Sequence, residues 1–138
     1  MKLYCIDTSA WHRAGHPDVA SRWRTCLESD QIGICDQVRL EILYSARSAS
    51  DYQALADELT GLAPIALGDD AYARALQVQA LLSRAGGLHH RSVKIADLLI
   101  AAAAESADRI VLHYDEDFDR IGAVTGQPTE WIAPRGSI

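Results

Sequence analysis

Short apolar runs alternate with amphipathic stretches along the whole chain. Lys2 to Ile6 is an apolar run that stops at Asp7-Thr8-Ser9, the pattern of a buried strand feeding a helix N-cap. Pro17-Asp18 opens a helix over about 18–29, with Val19, Trp23, Cys26 and Leu27 on one stripe. Ile32 to Cys35 is a second apolar strand, followed by helices over about 37–47 and 51–61, the latter ending at Gly61. Pro64 to Leu67 forms a third strand, and Asp69-Asp70 cap a helix running to about 84, halted by Gly86-Gly87. A helix over about 92–106 leads into the apolar strand Arg109 to His113. The remainder holds a short helix near Phe118 and a strand from Glu130 to Ile132. Strands alternating with helices predict parallel strands joined by right-handed crossovers, a three-layer α/β/α sandwich with a central, mostly parallel sheet. Ligands of such sheets gather outside the carboxyl ends of the strands, near the point where the strand order reverses.

The 138 residues carry no repeat, linker or low-complexity stretch, so residues 1–138 read as a single domain. With 49% apolar and 23% charged residues the composition is that of a soluble globular protein. The longest uninterrupted apolar run, Leu98 to Ala104, is seven residues, far short of a membrane span, and Met1 to Asp7 lacks the apolar core of a signal peptide. No membrane association is expected. Cys5, Cys26 and Cys35 are odd in number, widely spaced and set among apolar residues, the usage of reduced core thiols in a cytoplasmic protein. No paired Cys or His spacing suggests zinc. The net charge of −6, from 19 acids against 13 bases, opposes a general attraction to phosphate. Nucleic acid then requires either a local basic patch or an acidic cluster that holds cations.

The acids are where the pattern breaks. Nine of the ten residues from Ile95 to Ala104 are apolar and the exception is Asp97. A helix apolar all round is buried, and a buried carboxylate pairs, protonates or binds metal; an N-cap for a helix starting at Leu98 is the competing reading. Asp7 ends the first strand, where capping is also open to it. Glu41 lies in Val38 to Ala46, six of nine residues apolar, with a solvated helix face as its ordinary reading. Asp115, Asp117 and Asp119 follow the strand over 109–113 with the spacing of a calcium loop, but Arg120 and Gly126 stand where that loop wants Gly and Glu. Taken together, Asp7 and the Asp115 group stand at the carboxyl ends of two strands, and helices bearing Glu41 and Asp97 face the same cleft. Like charges so placed need neutralising, and hard cations such as Mg²⁺ or Mn²⁺ take carboxylate oxygens. Such ions activate water and stabilise charge on a phosphodiester. No Ser/His/Asp or Cys/His relay competes for the role.

Four segments in this order, Ile6-Asp-Thr-Ser-Ala10, Leu40-Glu-Ile-Leu-Tyr-Ser-Ala-Arg47, Ala96-Asp-Leu-Leu-Ile-Ala-Ala-Ala-Ala104 and Val111-Leu-His-Tyr-Asp-Glu-Asp-Phe-Asp-Arg-Ile121, resemble the PIN domains, specifically the VapC toxins of bacterial toxin–antitoxin pairs. The resemblance spans nearly the whole chain. It implies Asp7, Glu41, Asp97 and Asp115 as a catalytic, metal-binding quartet, with Asp117 as a fifth ligand or a supporting acid; Asp115, nearer the strand end, is the one expected to point inward. It further implies Mg²⁺-dependent endonucleolytic cleavage of RNA, often tRNA or ribosomal RNA, with Mn²⁺ as a substitute. The implied partners are an RNA substrate, a small VapB antitoxin whose C-terminal segment fills the groove, and a second copy of the chain, giving a homodimer and a toxin–antitoxin hetero-oligomer. Many members carry Thr or Ser where this chain has His113. In this frame an ion held by Asp7 and Asp97 orients the attacking water, and Glu41 and Asp115 hold a second ion or the water network.

Arg84 to Lys94 is the one locally positive stretch, and its Arg84, His89, His90, Arg91 and Lys94 are placed to grip phosphates beside the acids, with an ordinary surface loop as the alternative. His12, Arg13 and Arg47 are weaker candidates, and Trp11 and Trp23 read as core or partner-contact residues. A haloacid-dehalogenase type phosphatase would need its D-x-D on the first strand. A receiver domain would need an acidic pair after the first strand and a lysine after the last, whereas no lysine follows Lys94. The remaining alternative is a catalytically silent PIN-like or receiver-like binding and regulatory module.

Overall fold

In the computed structural model, which describes residues 1–138, β1 (Tyr4–Ile6) sits at the centre of a five-stranded sheet. β2 (Ile32–Cys35) and β3 (Ala63–Ile65) flank it on one side, and β4 (Ile110–His113) and β5 (Thr129–Trp131) on the other, in the order β3-β2-β1-β4-β5. Every pairing is parallel, so the mostly parallel sheet expected from the alternation is parallel throughout; Cys5 lies opposite Gly33, and Ile6 opposite Leu112. β1 and β2 are buried at every position, which is why they read as continuous apolar runs and not as alternating ones. A Cβ at Gly33 would lie 2.7 Å from Ile65 Cδ1 and 2.9 Å from the Arg109 guanidinium, so a larger residue there must displace the ends of those side chains.

The chain enters at the centre, winds outward through β2 and β3, then returns to place β4 on the other flank of β1. The connections are α1 (Thr8–Trp11) and α2 (Ala20–Glu28), then α3 (Asp36–Tyr44) and α4 (Ala49–Leu59), then α5 (Asp69–Arg84), α6 (His89–Ser92) and α7 (Ile95–Ser106), and lastly α8 (Asp117–Thr125). With right-handed crossovers, the reversal after β3 sends α5 to α8 to the face opposite α2, and α5, α7 and α8 do pack on one another there. α7 is the interior element, with every residue from Asp97 to Ala104 buried and its alanines allowing close approach to its neighbours. The order reverses between β1 and β4, so the carboxyl ends of these two strands bound the crevice where ligands bind in this architecture.

Several expectations need correction. The helix expected over 92–106 starts three residues later: a separate short α6 ends at Ser92, Val93 and Lys94 are extended, and α7 starts at Ile95. Asp69 and Asp70 do not cap α5; Gly68 is its N-cap and both acids lie in the first turn, where they complement the helix dipole. The third helix stops at Tyr44, and the fourth starts after Ser48, whose hydroxyl accepts from the Asp51 N–H at 3.0 Å. Leu27, expected on the buried stripe of α2, is 40% exposed, while Val19 and Cys26 are buried. The three thiols are free and buried.

Candidate active site

Asp7 follows the last residue of β1, and its N–H continues the ladder by donating to Leu112 O at 2.9 Å. Its side chain caps α1: Oδ2 accepts from the Ser9 N–H at 3.0 Å and from Ser9 Oγ at 2.5 Å. The same Ser9 Oγ accepts from the Tyr114 N–H at 2.9 Å, so one hydroxyl ties the end of β1 to the turn after β4. Capping accounts for one carboxylate oxygen only; Oδ1 of Asp7 is buried and accepts no hydrogen bond. Burial pushes the Asp7 carboxyl up, the Ser9 bonds hold it back, and the charges of Glu41 and Asp115 push it up further.

Glu41 is not simply solvated. It is half-buried on α3, where Oε1 accepts from Thr8 Oγ1 at 2.6 Å and Oε2 from Gln37 Nε2 at 3.1 Å.

Asp97 is the third residue of α7, not its cap, and is 3% exposed. Its Oδ2 accepts no hydrogen bond and lies 3.4 Å from Lys94 Nζ. Burial, the neighbouring Asp117 carboxyl and the charge of Asp7 raise its pKa to about 8.

Asp115 and Asp117 come from the turn between β4 and α8. Asp115 Oδ1 accepts from the Asp117 N–H at 2.9 Å, and Asp117 Oδ1 from Arg120 at 3.1 Å. Asp117 is the more buried of the two, with its side chain 6% exposed against 22% for Asp115. Burial alone would raise the Asp117 carboxyl; the neighbouring Asp97 carboxyl and the Lys94 contacts outweigh it and lower it instead.

Ligand oxygens of Asp97, Asp115 and Asp117 all lie within 4.8 Å of one another, close enough to hold one metal ion. Asp7 and Glu41 stand beside this group and not in it. The residues present fit a hard cation: the donors are all carboxylate oxygens, buried oxygens of Asp7 and Asp97 lack hydrogen-bond donors, and a lysine ammonium already rests among the acids.

Of the positive stretch, only Lys94 enters the cluster. Arg84 and Arg91 are exposed and pair with no acid, His89 is half-buried, and His90 is half-buried with a buried Nδ1 that has no partner. His113 turns into the core and packs on Phe118 and Trp131 at ring-centroid distances of 5.1 and 4.9 Å. Burial lowers its pKa to about 4, and its Nδ1 accepts from the Asp115 N–H at 3.2 Å, which shapes the turn presenting Asp115. Beside Asp115 opens a polar cleft lined by Arg13, Tyr114, Glu116, Trp131 and Arg135. The Arg13 guanidinium lies 4.2 Å above the Tyr114 ring. Ser9, Thr8 and Gln37, which orient Asp7 and Glu41, escaped the reading of the sequence as more than caps. Their signal was two hydroxyl residues directly after an acid that ends a buried strand.

This acid-lined end of a parallel sheet has relatives. Residues 4–124 match the model of the PIN domain. Ribonuclease VapC18 of Mycobacterium tuberculosis is 65% identical, over 99% of this chain and 99% of its own length. Ribonuclease VapC51 of the same organism is 41% identical, over 98% and 96%. Among solved structures, DNA-bound VapBC from Salmonella typhimurium aligns with a TM-score of 0.75 at 19% identity, covering 96% of this chain and all of that one, a likeness of fold. The chain belongs to the PIN-domain family, among the VapC ribonucleases.

Proposed function

We propose that the chain is the toxin of a toxin–antitoxin pair and cleaves RNA internally, with tRNA or ribosomal RNA as its target, through a divalent cation held by Asp97, Asp115 and Asp117 with Asp7 at its side. The observation that carries this is the convergence of three carboxylates within 4.8 Å at the carboxyl ends of β1 and β4, in a family of ribonucleases. Mg²⁺, or Mn²⁺ in its place, supplies at such a site charge neutralisation on the phosphodiester and a water activated for attack. The chain's own residues do the rest. Ser9 fixes Asp7, Thr8 and Gln37 fix Glu41, and the Asp117 N–H and Arg120 fix Asp115 and Asp117, so the acids keep their orientation without a substrate. Glu41 is the acid left over to accept a proton or hold a water. Arg13 and Arg135 line the adjoining cleft, where guanidinium groups suit phosphates; Arg84, His89, His90 and Arg91 extend the positive surface along the chain entering α7, and Lys94 ends that stretch among the acids.

Residues 1–138 act as one domain in this reading, and the buried free thiols suit the cytoplasm. No helix is long and apolar enough to cross a membrane. The structures of similar fold are VapBC complexes, which supports a VapB-type antitoxin as partner. A homodimer is expected within that assembly, and light scattering of the isolated chain checks it.

The decisive experiment incubates total bacterial RNA with purified chain, in Mg²⁺ and in EDTA, beside Asp97→Asn. Discrete fragments that require metal and fall by about 10³-fold in the variant are expected, the several kcal/mol a metal centre contributes. Cleavage that persists in EDTA, or in a folded Asp97→Asn protein, overturns the metal reading.

A further inference from the structure

Lys94 is the N-cap of α7, and its backbone is held extended at φ −62° and ψ 141°. Its N–H donates to Asp117 Oδ2 at 3.1 Å, so the residue is pinned to the cluster before its side chain is considered. The ammonium then reaches Asp115 Oδ2 at 2.7 Å, Asp117 Oδ2 at 3.0 Å and Asp97 Oδ2 at 3.4 Å. These belong to the same three carboxylates that converge closely enough to hold a cation. The other oxygens of Asp115 and Asp117 are engaged, one by the Asp117 N–H and one by Arg120. A divalent ion that binds these oxygens at about 2.0–2.2 Å needs the lone pairs the ammonium occupies. Yet the lysine side chain is 63% exposed, so withdrawing its ammonium from the cluster uncovers little packed surface.

We propose that Lys94 is a built-in counter-ion: in the metal-free protein its ammonium occupies the cluster formed by Asp97, Asp115 and Asp117, and a divalent cation binds by displacing it. This rests on the metal reading of the site and goes beyond it, because it makes one side chain of the chain itself the setting of the site's cation affinity. A phosphate-gripping lysine at the surface would not compete with the metal, and a lysine that preorganises the carboxylates for the metal would strengthen it. Competition has the opposite sign to the second and a measurable size against the first.

The experiment titrates Mn²⁺ by calorimetry into the metal-free full chain and into Lys94→Met, which keeps the stem and the capping N–H and removes the charge. The variant is expected to bind Mn²⁺ about tenfold more tightly, within the range ordinary for coupled sites, and to melt at a lower temperature in EDTA. A second measurement needs no variant. Lys2 and Lys94 are the only lysines, so brief acetylation read by mass spectrometry compares the two amines within one molecule. Modification of Lys94 relative to Lys2 is expected to rise several-fold when Mn²⁺ saturates the site. Equal or weaker Mn²⁺ affinity in folded Lys94→Met, or acetylation of Lys94 unmoved by saturating Mn²⁺, overturns the proposal while leaving the metal site standing. Absence of Mn²⁺ binding in both proteins overturns the metal site itself, and binding in the variant alone upholds both. If Lys94→Met does not fold, the acetylation ratio decides.

Discussion

Ser9 shows how little chemistry is needed to hold two strand ends in register. Its Oγ donates to Asp7 and accepts from the Tyr114 N–H, so one hydroxyl fixes both an acid after β1 and the turn that presents Asp115. Ser9→Ala keeps the backbone cap on Asp7 and leaves the Tyr114 N–H without its partner. A loss of about 1–3 kcal/mol in urea unfolding is expected for the half-buried donor so exposed. A drop in cleavage rate larger than any change in the amount of folded protein is also expected, because Asp7 loses its orientation. Full activity in Ser9→Ala would remove the hydroxyl from the positioning of Asp7.

At the scale of elements, Glu130 is the fastener of the sheet's far edge. It lies on β5 and accepts from Tyr4 on β1 at 2.8 Å, from Lys2 at 2.9 Å and from Arg22 on α2, and Arg22 also donates to Trp131 O and Ile132 O. Burial alone would raise the Glu130 carboxyl, but the bonds from Lys2 and Tyr4 and the Arg22 charge outweigh it and bring it below its ordinary value of 4.5. A carboxyl depressed in the folded state gives stability that is present above its unfolded pKa and is lost as pH falls through the folded one. Glu130→Gln is therefore expected to unfold in less denaturant than the parent at pH 7, with the difference closing as pH is lowered below about 4. A gap that stays constant across that titration would assign the loss to packing instead of charge. None of this network was legible in the sequence, since Lys2, Tyr4, Arg22 and Glu130 share no spacing and meet only when β4 slots between β1 and β5. What was legible were the buried strands and the anomaly of Asp97, because continuous apolar runs of four or five residues and one acid among nine apolar neighbours leave few other arrangements. The break between α6 and α7 was hidden because His89 to Ser106 carries no proline or glycine to mark it. What stops the helix is the Lys94 N–H turning to Asp117, a residue 23 positions away. The sequence set Lys94 at helical spacing from Asp97; its contacts with Asp115 and Asp117 came only with the structure.

For the whole molecule, the acidic balance and the site have to be considered together. The net charge is −6, and several of the acids responsible are drawn into one crevice, so much of the negative field is focused where a cation is to bind. A ligand that binds only the folded chain stabilises it, by about 2.7 kcal/mol at a hundred times its dissociation constant. Thermal melting in EDTA and in rising Mn²⁺ is expected to show a midpoint that climbs by several degrees, with Asp97→Asn flat across the same series. Because burial and the neighbouring acids push the Asp97 carboxyl up to about 8, the shift is expected to grow from pH 6 to 8 as that carboxyl loses its proton more readily. The strand order carries a last consequence, for synthesis of the chain. β4 is inserted between β1 and β5, and the two ends of the crevice are supplied by residues 7 and 115–117. A nascent chain that has not yet extruded β4 has its core half open and lacks two of its three clustered carboxylates. A ribosome translating this message is thus exposed to no complete acidic cluster until β4 and the turn after it have emerged, and the wait for that sequence-distant pairing delays activity.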